Sequence, residues 1–171
     1  MKTRLLFITC AIALFGCNTG NTQQDLSTKT DTNTVENPGR VELISPDSLH
    51  KSPAFSQLAV VTGNVKTIYI GGQNAVDKNG QVVGKGDIGK QSLQSMKNVE
   101  LALKASGAGI EHVVKWNIYF VKGQSAQDAL KAVQPRLSKV KTPALVTGLF
   151  VEGLTNPDYL IEIEAVAIVP E

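Results

Sequence analysis

Chemistry that needs thiols or clustered imidazoles is scarce in this chain. Its only cysteines are Cys10 and Cys17, and its only histidines are His50 and His112. No cysteine follows residue 17, so the folded part holds no disulfide, no thiolate metal site and no cysteine nucleophile. There is no H-E-x-x-H, and His112, beside Glu111 at a strand start, reads as structural rather than as a ligand or base. Gly123-Gln-Ser-Ala-Gln127 lacks the second glycine of a nucleophile elbow, which leaves a serine hydrolase unsupported. Apolar runs are short as well. The longest, Leu5 to Phe15, is about eleven residues and cannot span a bilayer.

That run follows the basic Met1-Lys-Thr-Arg4 and precedes Leu14-Phe-Gly-Cys17, so residues 1–16 read as a secretory leader. The four residues ending in Cys17 resemble a bacterial lipobox, although Phe15 is bulkier than that motif usually carries. The resemblance implies cleavage after Gly16, lipidation of Cys17 and acylation of the new amino terminus. Three acyl chains hold a membrane far more firmly than one. Asn18 rather than aspartate follows Cys17, which favours the outer membrane, facing the periplasm, in a diderm host. In a monoderm the address is the outer face of the plasma membrane. With Lys2 and Arg4 lost, 15 basic groups of the 17 stand against 15 acidic ones. A neutral chain lacks the basic footprint of a general nucleic-acid binder.

Residues 17–40 hold the lipidated cysteine and a polar, low-complexity tether, which buries too little apolar surface to offset its ordering entropy. Residues 41–171 are the size of one ordinary domain. Strands are predicted at Val41–Ile44, Phe55–Val61 and Val65–Ile70, with Thr62-Gly-Asn64 a tight hairpin signal between the last two. Gly71-Gly72 at the third strand's end marks a bulge, a close backbone approach or a plain strand-to-loop transition.

Asp87 caps a helix running to about Ser106, with Gly107 as its stop. Gly84-Lys-Gly-Asp-Ile-Gly89 fits G-x-G-x-x-G, but no proper strand precedes it and no βαβ context follows. A loop opening a helix is the better reading. Val114, Trp116, Ile118 and Phe120 share the core face of a strand over 112–121. Ser125 with Asp128 resembles a capping box for a second helix, which Pro135 should end or kink.

Two closing strands, Lys141–Val151 and Tyr159–Val169, flank the turn Glu152–Asp158. The order β-β-β-α-β-α-β-β, with both helices on one face, gives an α+β fold. Alternation in the last strand puts Glu162, Glu164, Val166 and Ile168 on one face, against Ile161, Ile163, Ala165 and Ala167. A buried carboxylate without a partner is costly, so such a face needs a cation, hydrogen-bond donors or a proton. Structural ion pairs or a solvated sheet edge would satisfy it without any function.

Phe55-Ser-Gln57, Gly63-Asn64, Ile70-Gly-Gly-Gln73, Val113-Val-Lys115 and above all Ile161-Glu-Ile-Glu-Ala-Val-Ala167 resemble the RidA/YjgF superfamily, in order and over nearly all of Val41–Val169. The resemblance implies a chorismate-mutase-like fold with a mixed six-stranded sheet and two helices on one face. It also implies a homotrimer with clefts between subunits, no cofactor and no metal. Its deaminase branch hydrolyses enamines and imines such as 2-aminoacrylate.

Carried over by residue, Glu162 matches the glutamate that positions the attacking water, and Gly72 matches a backbone position lining the cleft. Phe55 replaces a usual tyrosine, and Lys131 a usual asparagine. Leu145 stands where deaminases carry the arginine that grips the substrate carboxylate. Leucine offers no fork of donors, and the only arginines after residue 4 are Arg40 and Arg136. Lys131, Lys139 and Lys141 could supply charge without that geometry.

Three readings follow. The first is a lipid-anchored trimer binding a small neutral or cationic metabolite at clefts formed by Phe55, Gly72, Lys131, Leu145 and Glu162. The second is an imine or enamine hydrolase in which Glu162 activates water. An endoribonuclease, an activity sometimes attached to this family, ranks last on charge and histidine content.

Overall fold

The computed structural model describes residues 37–138 and 140–171. The leader, Cys17 and most of the tether fall in residues 1–36 and, with Lys139, lie outside the described residues.

The elements run β1 (Arg40–Ile44), β2 (Leu58–Thr62), β3 (Val65–Gln73), α1 (Ile88–Ala105), a 3-10 turn (Ile110–His112), β4 (Val113–Val121), α2 (Ala126–Leu137), β5 (Leu145–Val151) and β6 (Ile161–Pro170). The fold is α+β, with the predicted element order. Its six strands form two sheets rather than one: the ribbon β1-β2, and a mixed sheet ordered β3-β6-β4-β5. β6 pairs antiparallel with both β3 and β4, whereas β5 runs parallel to β4 along the edge.

The turn at Gly63 is where the single sheet divides. Instead of closing a hairpin between β2 and β3, Asn64 donates its N–H to Asn37 and accepts from Glu171, and it bridges to Pro38. The backbones meet so closely that a Cβ on Gly63 would stand 2.2 Å from the Pro38 carbonyl oxygen, and one on Gly39 would stand 2.0 Å from that of Asn64. Gly63 also has φ +73°, a left-handed conformation that side chains resist.

α1 forms where its signals fall. The Asp87 carboxylate accepts from the N–H of Lys90 at 3.0 Å and caps the first turn. The same bond is the chief cause that holds the Asp87 carboxyl below its ordinary pKa. Met96, Val99 and Leu103 point inward and pack with Ala129 and Val133 of α2 on Ile70, Trp116, Phe120, Ile161, Ile163, Ala165 and Ala167 of the sheet. A bulge between Val113 and Lys115 also brings Val113 into this core, while Val114 is buried outside it.

α2 is capped by the Ser125 hydroxyl, which accepts from Asp128 N–H at 3.1 Å. It runs through Pro135 to Leu137, past the predicted stop. Proline there removes one backbone bond. Leu137 packs against the core, and Arg136 pairs with Glu100 of α1 at 2.5 Å, so tertiary contacts carry the last turn.

Leu103→Ala should cost about 2–5 kcal/mol in urea denaturation, because the side chain is fully buried. Leu101→Ala, two residues away and half exposed, should cost less than about 0.5 kcal/mol. Equal losses would contradict the helix orientation described.

Candidate functional site

Cross-strand register assembles the face opposite the helices in rows. Tyr119 of β4 lies between Glu162 and Leu149, Asn117 between Glu164 and Thr147, and Lys115 between Val166 and Leu145. Tyr69 of β3 extends the last row beside Val166. The period-2 logic that puts Trp116, Ile118 and Phe120 in the core also puts Lys115, Asn117 and Tyr119 on this outer face. The sequence reading followed only the apolar half of that alternation.

The two carboxylates are met by neutral donors, not cations. Asn74 Nδ2 donates to Glu162 Oε2 at 3.1 Å and lies 3.3 Å from the Ile161 carbonyl. Asn117 Nδ2 and the Tyr119 hydroxyl donate to Glu164 Oε2 at 3.2 and 3.1 Å. That bond raises the Tyr119 phenol above its ordinary 10.0; desolvation and the charges of Glu164 and Glu162 act the same way.

Glu162 is positioned from two sides. β3 shifts register between Ile70 and Gln73, and the Glu162 side chain lies over the resulting bulge. A Cβ on Gly72 would stand 2.0 Å from Glu162 Oε1, so glycine leaves the space the carboxylate occupies. From the helix layer, Asn98 Nδ2 donates to the carbonyls of Asn74 and Val76 at 2.9 and 2.8 Å, and Gln94 Nε2 donates to Val76 at 3.2 Å. The chain of amides thus runs from α1 through Asn74 to the acid. Its partners lie far apart in sequence, and no local pattern signals it.

The remaining predicted site residues fall elsewhere. Leu145 shares the outer face with Glu162, but four residues of rise and two strand spacings separate them by about 17 Å. Phe55 is held near the start of β5, because Ser56 donates from N–H and hydroxyl to the carbonyls of Ala144 and Pro143 at 3.2 and 2.7 Å. Phe55 and Lys131 line a largely apolar groove of about 1000 Å³ on the helix side, with Trp116 and Val133. Gly72, Leu145 and Glu162 are not part of it. One chain therefore brings Gly72 and Glu162 together and keeps both from Phe55, Lys131 and Leu145.

Neither arginine can replace the missing clamp. Arg40 pairs with Glu42 at 3.1 Å on β1, and Arg136 is the inter-helix partner of Glu100. Lys115, directly beside Leu145, is the lysine that the four-stranded sheet sets on this face. His112 Nδ1 accepts the N–H of Gly109 at 3.0 Å, a structural role. Among the described residues, no three His, Cys, Asp or Glu side chains converge as a metal site.

The sequence profile of the family described as Endoribonuclease L-PSP matches residues 46–169. The chain belongs to this family. Its relatives include a RutC family protein of Drosophila melanogaster, UK114, 30% identical over 127 residues that span 74% of this chain and 88% of that one. A RutC family protein of Pyrococcus horikoshii is 36% identical over 115 residues, 66% of this chain and 85% of its own. Among solved structures, the Rid family protein YyfB of Yersinia pestis, described as of unknown function, superposes with a TM-score of 0.66 at 31% identity. That superposition covers 75% of this chain and 98% of YyfB. Membership in this family, which includes RidA and YjgF, accounts for the α+β architecture.

Two outcomes test the site. In an absorbance titration, Tyr119→Phe should remove a phenol that ionises above 10, and Glu164→Gln should bring that phenol back toward 10. The raised value stabilises the fold below pH 10, and that contribution is lost as pH climbs through the folded-state pKa. Gly72→Ala should displace the flexible Glu162 side chain while the protein stays folded, read as an unchanged circular dichroism spectrum with altered Asn74 side-chain amide resonances.

Proposed function

We propose that this family member is an exported, lipid-anchored protein. It binds a small neutral or cationic metabolite in clefts shared between copies of the chain, and it does not hydrolyse amino-acid-derived enamines. The observation that carries this reading is the separation of Glu162 from Leu145 on one open sheet face. At about 17 Å, a small molecule reaches both only if they come from different protomers. A homotrimer, as the resemblance implied, supplies such pairings.

The exposure of the sheet supports a covering partner. On the open face Tyr69 is 80% exposed and Leu149 of the edge strand β5 is 50% exposed, while Phe150, 61% exposed on the same strand, lies on the helix side beside Phe120. Soluble monomers rarely leave so much apolar surface along an unpaired edge. On the half-site at residue 145 a ligand meets leucine and the single ammonium of Lys115, which gives charge without a bidentate fork. On the other half-site it meets Glu162. A substrate carboxylate therefore lacks its clamp, whereas an amine or imine finds an acid.

The retained Glu162, fixed by Asn74 over Gly72, favours imine hydrolysis as the second reading, with that carboxylate orienting or deprotonating water. Ribonuclease action has no comparable support. His112 is engaged by Gly109, and His50 belongs to the distant loop before β2.

Sedimentation should give a trimer, and a stable monomer would overturn the shared cleft. Equilibrium binding of a panel of amines, imines and carboxylates should favour the first two. Leu145→Arg should raise affinity for the carboxylates by about thirtyfold or more. Rapid 2-aminoacrylate hydrolysis by the unaltered chain would overturn the binding assignment, and equal imine turnover by wild type and Glu162→Ala would remove the second reading.

A further inference from the structure

The outer side of α1 carries a surface that neither the core nor the candidate site uses. Lys97, Leu101 and Lys104, at helical spacing i, i+4 and i+7, are all exposed, and Leu101 shows 56% of its surface. Among the 18 residues of α1 are three lysines and one acid, Glu100, which is taken up by Arg136. Lys66 joins them from β3, with its ammonium 3.7 Å from where a Cβ on Gly107 would stand, just past the end of the helix. Among the described residues no carboxylate lies within ion-pair distance of Lys66, Lys97 or Lys104. Of the acids at this end, Glu42 is held by Arg40, which leaves Glu111 and Glu171 to set against three lysines.

The chain enters the domain at this same end. Gly39 abuts Asn64 and Val65, the residue before Lys66, and Asn64 is bonded to Asn37 and Glu171. We infer that the surface formed by Lys66, Lys97, Leu101 and Lys104 docks the domain onto an anionic lipid bilayer. The inference rests on the reading of Cys17 as a lipid anchor and adds an orientation to it. About twenty residues separate Cys17 from Asn37, roughly 65 Å at full extension, so the tether alone fixes no orientation. The docking surface does, because it is cationic, carries an apolar side chain that can enter the headgroup layer, and adjoins the point where the tether arrives.

Docking on this side turns the α1 end to the membrane and leaves the open sheet face free for another copy of the chain. Each lysine near an anionic surface strengthens binding about fivefold, so three together give about a hundredfold.

The test uses the chain from residue 17 with Cys17→Ser, which keeps the whole described core and carries no lipid. Co-sedimentation is measured with vesicles of phosphatidylcholine alone and of phosphatidylcholine with phosphatidylglycerol. Binding should appear only with the anionic vesicles, fall steeply as salt is raised, and drop about a hundredfold when Lys66, Lys97 and Lys104 are all changed to glutamine. Leu101→Ser should weaken it several-fold without changing its salt dependence. All four positions are exposed, and unchanged thermal unfolding confirms that the variants are folded. Equal binding to both vesicle types, or full binding by the triple variant, overturns the docking surface. Mass analysis of Cys17 in the membrane-extracted full chain tests the anchor separately. Lipid on Cys17 without a vesicle preference leaves the anchor and removes the docking surface. Bare Cys17 removes the anchor and, with it, the tethered orientation.

Discussion

The fold turns on the requirement that β6 keep its two faces distinct. Paired on both sides within the larger sheet, antiparallel to β3 and to β4, it sends Ile161, Ile163, Ala165 and Ala167 into the helix-covered core and Glu162 and Glu164 to the opposite face. A one-residue slip would exchange the two sets, placing two carboxylates among Met96, Val99 and Leu103. Burying even one ionised carboxylate there without partners costs far more than the net stability of a domain this size can absorb. The register of β3 and β4 follows from that prohibition, and so does the row pattern of the outer face.

This explains why so much of the architecture was legible in the sequence. Alternation in β6, the Asp87 cap, the apolar spacing of α1 and the Ser125 cap are local signals, and each appears where the chain places it. The errors have non-local causes. The Gly63 turn looks like a hairpin until Asn37, Pro38 and Glu171 arrive to take up Asn64. Pro135 looks like a stop until Leu137 and Arg136 find partners on the core and on α1. The amides of Asn74 and Asn98 are ordinary loop and helix residues by sequence, and only tertiary folding brings them to Glu162.

The site was legible in pieces. Glycine at 72 could be read as a bulge or a close approach, and it is both, because the β3 register shifts there and the space of its absent side chain is occupied by Glu162. Periodicity set Glu162 on the face of β6 opposite Ile161 and Ile163, and the resemblance named Leu145. That the two share a sheet face, and at what distance, depends on which strands intervene and in what register. Lys115 belongs to the half of β4 that alternation sets opposite Trp116 and Phe120, and only the pairing with β5 brings it beside Leu145. The family resemblance identified single positions, whereas one chain sets Gly72 beside Glu162 and keeps Leu145, Phe55 and Lys131 away from them.

The amide chain from α1 to Glu162 has a mechanical side. Aliphatic packing between α1 and the sheet is non-directional and tolerates small slides, but the bonds from Asn98 and Gln94 to the backbone at residues 74 and 76 weaken steeply with angle and distance. A small displacement of the helix along its axis therefore loosens the grip on Asn74 before it disturbs the core. The same helix presents lysines outward and, through Asn98 and Asn74, holds a carboxylate inward, so the position of the acid is tied to that of the helix.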